Sequence, residues 1–330
     1  MSPTRSVGAT ARCVLRALAL AALLPAAVYA QGAWPTKPIK IIIPSSPGGS
    51  NDNISRMAAE RVGARLGQPI IVENKPGAGG IIGIDFVSKS PADGYTMVFF
   101  STSLTTNTAA GKKLPYDLVR DFEPAGTVAA GHFVAVVANS LNVKTLREFI
   151  DLARAKPNTI TYASSGVGGL NHVGTELIAS VADIKLVHVP YKGMGPALTD
   201  LMGGQVMMAL PSLASLAPFI KSPRLKALAI TSLERSPLAA ELPTFSESGM
   251  PGFKLELWWG LLVATKTPPA VIKRFNEELN VVLKSPEARE QLAKDGAIPY
   301  PGTPEDFRNV LKGDIARWGQ VIRDAKIPMD

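Results

Sequence analysis

The stretch Ile39-Lys40-Ile41-Ile42-Ile43-Pro44-Ser45-Ser46-Pro47-Gly48-Gly49-Ser50-Asn51 organises everything around it. Its first five residues form a near-continuous apolar run, the pattern of a strand buried on both faces. Pro44 to Gly49 breaks that run. From Asn51 onward, Ile54, Met57, Ala58, Val62 and Leu66 recur at helical spacing, and Gly67 closes the helix. Pro69 to Val72 reads as a second strand. Glu73 to Gly80 is another Gly/Pro loop, Ile81 to Val87 a helix, and Tyr95 to Phe100 a third strand followed by a polar loop, Ser101 to Ser103. Strand, loop, helix and strand in this order specify βαβ units and a parallel sheet.

The pattern restarts downstream. Strands are expected at Val134–Val137, Thr159–Ala163, Leu186–Val189, Gln205–Leu210 and Leu225–Ile230, with helices at Leu146–Ala155, through Glu176 and Ile178, and at Ala197–Met202. Trp258 to Ala264 reads as a strand able to return to the first sheet. Three helices that start near prolines, Pro269–Leu283, Pro286–Lys294 and Pro304–Arg323, end the chain. The expected class is α/β in two domains. The first is discontinuous, residues 31–130 and 256–330, and the second, residues 131–255, is inserted into it.

Residues 1–30 read as a secretory signal peptide. Arg5, Arg12 and Arg16 precede the apolar stretch Ala17–Val28, which is too short to span a bilayer, and Val28-Tyr29-Ala30 has the small-x-small form of a cleavage site. The whole chain has 330 residues, 35 Lys+Arg, 27 Asp+Glu, 3 His and 1 Cys. Cleavage removes three arginines and the single Cys13, and leaves a modest positive charge with no basic run suited to nucleic acid. With no cysteine and no paired histidine spacing, the mature chain carries no disulfide, and neither a metal nor a cofactor is expected.

The glycines mark the chemistry. Gly48-Gly49, Gly77 to Gly80 and Gly166 to Gly169 each lie between an expected strand end and a helix start. In an open parallel sheet such loops line the ligand crevice. Helix N-termini there offer free N–H groups, and glycine lets an anion approach the backbone. Nucleotide motifs fail: Ile82 stands where G-x-G-x-x-G needs its third glycine, and no GxxxxGK[ST] occurs. Ala163 likewise breaks a G-x-S-x-G elbow around Ser165. Ser165 with His172 as base remains the enzyme alternative, without a carboxylate placed to orient the imidazole. Asp52 is read as a cap of the first helix.

A resemblance now enters, carried by motifs in order along the chain. Trp34-Pro35, Lys37-Pro38-Ile39, Pro47-Gly48-Gly49 with Asp52, Leu66-Gly67-Gln68-Pro69, Glu73 to Gly80 and Pro91-Ala92-Asp93-Gly94-Tyr95-Thr96 resemble the receptors of tripartite tricarboxylate transporters, the Bug or TctC family. So do Tyr162 to Gly166, His188 to Gly193, Pro196 to Asp200, Gly203-Gly204-Gln205-Val206, Glu247-Ser248-Gly249, Pro251-Gly252 and Trp258. The resemblance implies a periplasmic two-domain binding protein of the type II, Venus-flytrap kind, with parallel-rich sheets and a cleft between domains. It implies no catalysis, a monomer, and capture of a small organic acid for a membrane transporter or, alternatively, a sensor kinase.

It also implies a site. One ligand carboxylate would lie between the loops Ser46–Asn51 and Pro76–Gly80, held largely by backbone N–H groups and ordered waters. Ser45, Ser46, Gly48, Gly49, Asn51, Ala78, Gly79 and Gly80 are expected there. Ser101, Ser103, Ser165, Gly166, His172, Tyr191 and Pro211 would close over the remainder. The chain departs from the family at Ser45, where an aromatic is usual, and at Met207 and Pro211, where aspartates are frequent. With Met208 and Leu210 between them, these residues predict a far end that disfavours amino acids and accepts an apolar or aromatic body or a dicarboxylate.

Overall fold

The apolar run forms β1 (Ile39–Ile43), followed by β2 (Ile70–Asn74), β3 (Thr96–Ser101), β4 (Phe122–His132), β5 (Val134–Ala138) and β6 (Thr161–Ser164). The remaining strands are β7 (Val187–Pro190), β8 (Met208–Ala209), β9 (Leu225–Ile230), β10 (Glu256–Ala264) and β11 (Ile298–Pro299). These assignments come from a computed structural model, which describes residues 34–220 and 222–329. The expected signal segment Met1–Ala30, with Cys13, lies outside the described residues. The described residues from Lys37 onward form one unit.

Two sheets divide that unit. One has the order β11-β4-β10-β3-β1-β2 and the other β7-β6-β8-β5-β9. In the first, β1 pairs parallel with β2 and β3, while β10 runs antiparallel to both β3 and β4. In the second, β6 pairs parallel with β7 and β8, while β5 is antiparallel to β8 and β9. The chain crosses from the first sheet to the second between β4 and β5 and returns between β9 and β10. Each sheet has its own core. Ile42, Val98, Phe100, Trp258, Leu262 and Phe307 cluster in one, and Val134, Val136, Ala163, Leu198, Ala209 and Ile230 in the other.

Local chemistry explains the helix boundaries. The helix Ser50–Leu66 starts after Gly49 in extended backbone and stops at Gly67, whose φ of 69° is left-handed. Pro269, Pro286 and Pro304 each begin a helix, and Thr303 forms a capping box with Asp306. Among the described residues, no helix is long and apolar enough to cross a membrane.

Three expectations need correction. Sequence reading gives no strand at Phe122–His132, because Pro124, Gly126 and Gly131 punctuate it. Yet β4 pairs along the whole of β10, with two register shifts that absorb the irregular residues. At Gly126 a side chain would meet Asn276 Nδ2 at 2.6 Å, so glycine here serves close packing rather than a turn. No polar loop follows β3: Ser101 stands at the N-cap position, without a side-chain capping bond, of a helix that starts at Thr102, and Thr102 Oγ1 accepts the Trp258 backbone N–H at 3.0 Å. The strand expected at Gln205–Leu210 shrinks to Met208–Ala209. Its flanks still join the ladder, the Ala138 N–H donating to Met207 O and the Val134 N–H to Pro211 O.

Candidate functional site

The glycine loops at the carboxyl ends of β1, β2 and β6 converge on a cavity of about 470 Å³ between the two sheets. Four consecutive residues of the second loop have positive φ: Gly77 at 130°, Ala78 at 48°, Gly79 at 63° and Gly80 at 95°. Such a run curls successive N–H groups around one point, a backbone nest for an anion. It demands glycine at nearly every position, which explains the sequence Gly-Ala-Gly-Gly. Among the described residues, the N–H groups of Asn51, Ala78 and Gly79 have no hydrogen-bond partner. Asn51 lies in the first turn of the helix Ser50–Leu66, at the positive end of its dipole.

The first loop is fixed by a charged network. Asp52 Oδ2 accepts the Gly48 N–H at 3.2 Å, and its Oδ1 accepts from Arg56 Nε at 3.0 Å and Asn74 Nδ2 at 3.2 Å. Asn74 Nδ2 also donates to Ser45 O. Burial alone would raise the Asp52 carboxyl, but the hydrogen bonds from Arg56, Gly48 and Asn74 outweigh it and hold the group below the usual carboxylate range. Asp52 therefore ties down the loop before the helix rather than serving as the helix N-cap, a position held by Gly49. Asn51 is oriented too: its Oδ1 accepts from Trp259 Nε1 at 2.9 Å, and its Nδ2 donates to Ser45 Oγ at 3.4 Å.

The loop Ser164–Gly169 is held by neutral groups. Asn171 Oδ1 accepts from the Ser165 N–H, Ser165 Oγ and the His172 N–H. The Gly168 N–H donates to His172 Nδ1 at 3.2 Å. Ser164 Oγ lies 2.6 Å from His188 Nε2. The two imidazoles stack with centroids 4.1 Å apart, and Tyr162 stacks on His188 at 4.9 Å. Burial depresses both: His172 to about 3, with added contributions from the His188 and Lys112 charges, and His188 to about 4. The Tyr162 hydroxyl donates to Glu176.

The loops meet across the cavity. Ser46 donates to Lys192 O from both its N–H and its Oγ, at 3.3 and 2.8 Å. The Ser50 N–H donates to Ser215 Oγ at 3.0 Å, and Thr106 Oγ1 donates to Gly168 O. Tyr191 lines the cavity with its hydroxyl donating to Asp200 at 2.7 Å; burial and that contact raise it to about 12.

Of the residues expected at the site, Ser45, Ser46, Gly49 and Asn51 line the cavity, as do Ala78, Gly79 and Gly80. Ser103, Ser165, Gly166 and Tyr191 also line it. Gly48, Ser101, His172 and Pro211 do not. Gly48 gives its N–H to Asp52, and Ser101 is buried at the end of β3. His172 lies beneath its loop in the imidazole stack, and Pro211 is spent on the ladder to Val134. Met207, Met208, Leu210 and Pro211 do not line the cavity, whereas Phe133, Met194, Ser212, Ser215 and Leu257 do. Motif comparison pointed one turn too early, because β8 ends at Ala209 and the next turn carries the chain into the cavity. Asn107 and Lys112 were not anticipated; no local motif distinguishes them.

Ser165 and His172 are not brought together, since each is engaged with other groups of its own loop. Ser164 does contact an imidazole, but it is fully buried and does not line the cavity. Among the described residues, no group of three His, Cys, Asp or Glu is placed to hold a metal ion.

Known proteins share this sequence pattern and fold. BugT of Bordetella pertussis (strain Tohama I) is 35% identical over 301 residues, 91% of this chain and 92% of that protein. The structure of R. palustris Rpa4515 with adipate superimposes with a TM-score of 0.87 at 31% identity, covering 89% of this chain and 99% of that one. MatC (Rpa3494) from Rhodopseudomonas palustris with bound malate gives 0.84 at 26% identity, covering 88% and 100%. The profile of the tripartite tricarboxylate transporter family receptor matches residues 54–327. The chain is a member of that receptor family.

Proposed function

We propose that this protein is a periplasmic receptor that captures a small organic carboxylate in the cavity between its two sheets and delivers it to a membrane transporter. The observation that carries the reading is the set of cavity-lining residues Asn51, Ala78 and Gly79, whose N–H groups have no partner among the described residues. Hydrogen bonds to a charged acceptor contribute about 1.5–3 kcal/mol each, so three reach the roughly 8 kcal/mol of a micromolar complex without a cation. Structures of family members with adipate and with bound malate support the ligand class.

In this reading, residues 31–130 and 256–330 form one domain and residues 131–255 the other. The crossings near His132–Val134 and Leu255–Glu256 are the hinge. Ser45, Ser46, Gly49 and Asn51 face the nest of Ala78, Gly79 and Gly80 around the carboxylate. Ser103, Ser165, Gly166 and Tyr191 close the cavity. Residues 1–30 are removed on export, and the mature receptor works as a monomer.

A thermal-shift screen over malate, succinate, adipate, terephthalate and glutamate tests the reading. A ligand at one hundred times its Kd adds about 2.7 kcal/mol of stability. A flat response to every carboxylate would refute it. N-terminal sequencing of exported protein, with Gln31 expected first, tests the processing.

A further inference from the structure

Loops of the two sheets touch outside the cavity as well as around it. Ser46 and Pro47 follow β1, while Lys192, Gly193 and Gly195 follow β7 on the other sheet. The Ser46 N–H and Oγ both donate to Lys192 O, and a side chain at Gly193 would meet Ser46 N and Cβ, each at 3.2 Å. One at Gly195 would meet Pro47 O at 2.7 Å, closer than a real Cβ comes to any such atom. Neither Pro47 nor Gly195 lines the cavity.

Local chemistry does not ask for glycine at position 195. The residue is the second of the helix Met194–Met202 and has no positive φ, unlike Gly193 at 150°. Alanine is the better helix former there, because it gives up less chain entropy. What excludes it is a main-chain carbonyl of the opposite half, which no rotamer change moves aside. Gly79 and Gly166 also approach each other across the seam, a side chain at Gly166 meeting Gly79 Cα at 3.5 Å. Both of those line the cavity, so a substitution there changes the ligand's surroundings too. At Gly195, contact between the halves is separated from the cavity wall.

We infer, on the receptor reading above, that Pro47 and Gly195 form a latch outside the ligand cavity, and that the absent side chain at Gly195 sets the affinity for every ligand by the same factor. The bare helix start lets the loop after β1 seat against it, with Ser46 hydrogen-bonded to Lys192 O beside the contact. Apparent affinity scales with the fraction of receptor in the competent, seated form, whatever the ligand is. The ligand enters before the latch seats, so the latch acts on escape rather than on entry. Gly195 is thus a positioning residue.

The test is Gly195→Ala, measured with each acid of the screen above that binds the wild type. Calorimetry shows every affinity lowered by one common factor of about tenfold. Stopped-flow binding places the change in the dissociation rate, with the association rate within about twofold of wild type. Small-angle X-ray scattering gives the loaded variant a larger radius of gyration than the loaded wild type. Gly195→Val, with more bulk at the same point, loses more affinity. Thr199→Ala, at an exposed position of the same helix, where its Oγ1 donates to Gly195 O, stays within about twofold of wild type.

Urea denaturation of unliganded Gly195→Ala shows stability equal to wild type or higher, since alanine favours the helix and the clash exists only when the halves meet. Wild-type affinity in Gly195→Ala overturns the latch and leaves the receptor standing. So do factors that differ between acids, the mark of a changed cavity, and a loss of stability parallel to the loss of affinity, the mark of a structural role. A wild type that binds none of the acids overturns the receptor reading, and the latch with it.

Discussion

Two glycine loops face each other across the cavity, and opposite chemistry holds them in place. The loop after β1 rests on an ionised carboxylate, Asp52, with Arg56, Asn74 and the Gly48 N–H around it. The loop after β6 rests on two neutral imidazoles, one accepting the Gly168 N–H and the other in contact with Ser164. The first requires a deprotonated acid and the second requires deprotonated bases. A binding site for carboxylates gains from both: the charge on Asp52 is consumed by Arg56 beneath the loop, and the neutral stack adds no charge of its own.

The largest effect is expected at the nest. In Gly79→Val the new side chain forces left-handed backbone, at φ 63°, on a β-branched residue, and its Cβ meets Val167 O at 3.1 Å. The first effect spoils the N–H cradle, and the second keeps the facing loop from approaching. Carboxylate affinity falls by at least about a hundredfold, the equivalent of losing one or two charge-assisted bonds. Urea denaturation then reports a loss of only about 1–3 kcal/mol, since the strain is local. Wild-type affinity in this variant would place the ligand elsewhere.

The pH response separates the two loops next. His172 is held to about 3, well below its ordinary 6.5, chiefly by burial, so the unfolded chain takes up the proton first. Stability is complete above pH 6.5 and is lost as pH falls toward 3. The slope approaches about 1.4 kcal/mol per pH unit once the unfolded histidine is protonated. Protonation also removes the acceptor for the Gly168 N–H, so the loop after β6 loosens with it. Asp52, with its carboxyl held below the usual range, contributes stability above its unfolded value of 3.8 and loses it only in stronger acid. Thermal denaturation at pH 7, 5 and 4 should therefore show a falling Tm in a window where the Asp52 loop is intact. In His172→Gln the slope between pH 6 and 4 is shallower. A parallel slope in that variant would assign the acid sensitivity to another group.

The contrast also shows what the sequence made legible. β1, the first helix and the Gly-Ala-Gly-Gly loop depend on chemistry local in sequence, namely apolar runs, capping and positive φ, and their boundaries are readable to within a residue or two. The far end of the cavity depends on where the chain goes after β8. Two residues of regular strand replaced an expected six, so the lining passed from Met207 and Pro211 to Ser212 and Ser215. β4 escaped because its prolines and glycines read as breakers, and only pairing with β10 overrides them. His172 looked like a cleft residue because it follows a cleft loop; its ring turns beneath that loop to stack on His188, a contact between residues sixteen apart that no motif encodes.

Removing the charge beneath the first loop has an intermediate effect. Asp52→Asn keeps the shape but weakens the bonds to Arg56 and to the Gly48 N–H, at a cost of about 1–2 kcal/mol, because the Arg56 guanidinium is half-exposed and water compensates part of the loss. Affinity falls several-fold as the Pro47–Gly49 segment gains freedom. Stability measured in urea and affinity measured by calorimetry should move together here. An unchanged affinity would show that the first loop is held by its backbone alone.

The smallest effect, and the one that sharpens the contrast most, lies at Gly49. This residue is the N-cap of the helix Ser50–Leu66, in extended backbone at φ −91°, with open space where a side chain would stand. By helix chemistry alone serine is the better choice, since its Oγ accepts a hydrogen bond from the N–H of the second or third residue of the helix. Those residues are Asn51 and Asp52; Asn51 lines the cavity, and its N–H has no partner among the described residues. Gly49→Ser should therefore raise folding stability by a few tenths of a kcal/mol, or leave it unchanged, while weakening carboxylate binding by a few-fold. The hydroxyl competes with the ligand for the same donor. Opposite signs of the two changes would mark the cap as one left open for the ligand. A gain in both would mean that the Asn51 N–H takes no part in binding, and the anchor would then rest on Ala78 and Gly79 alone.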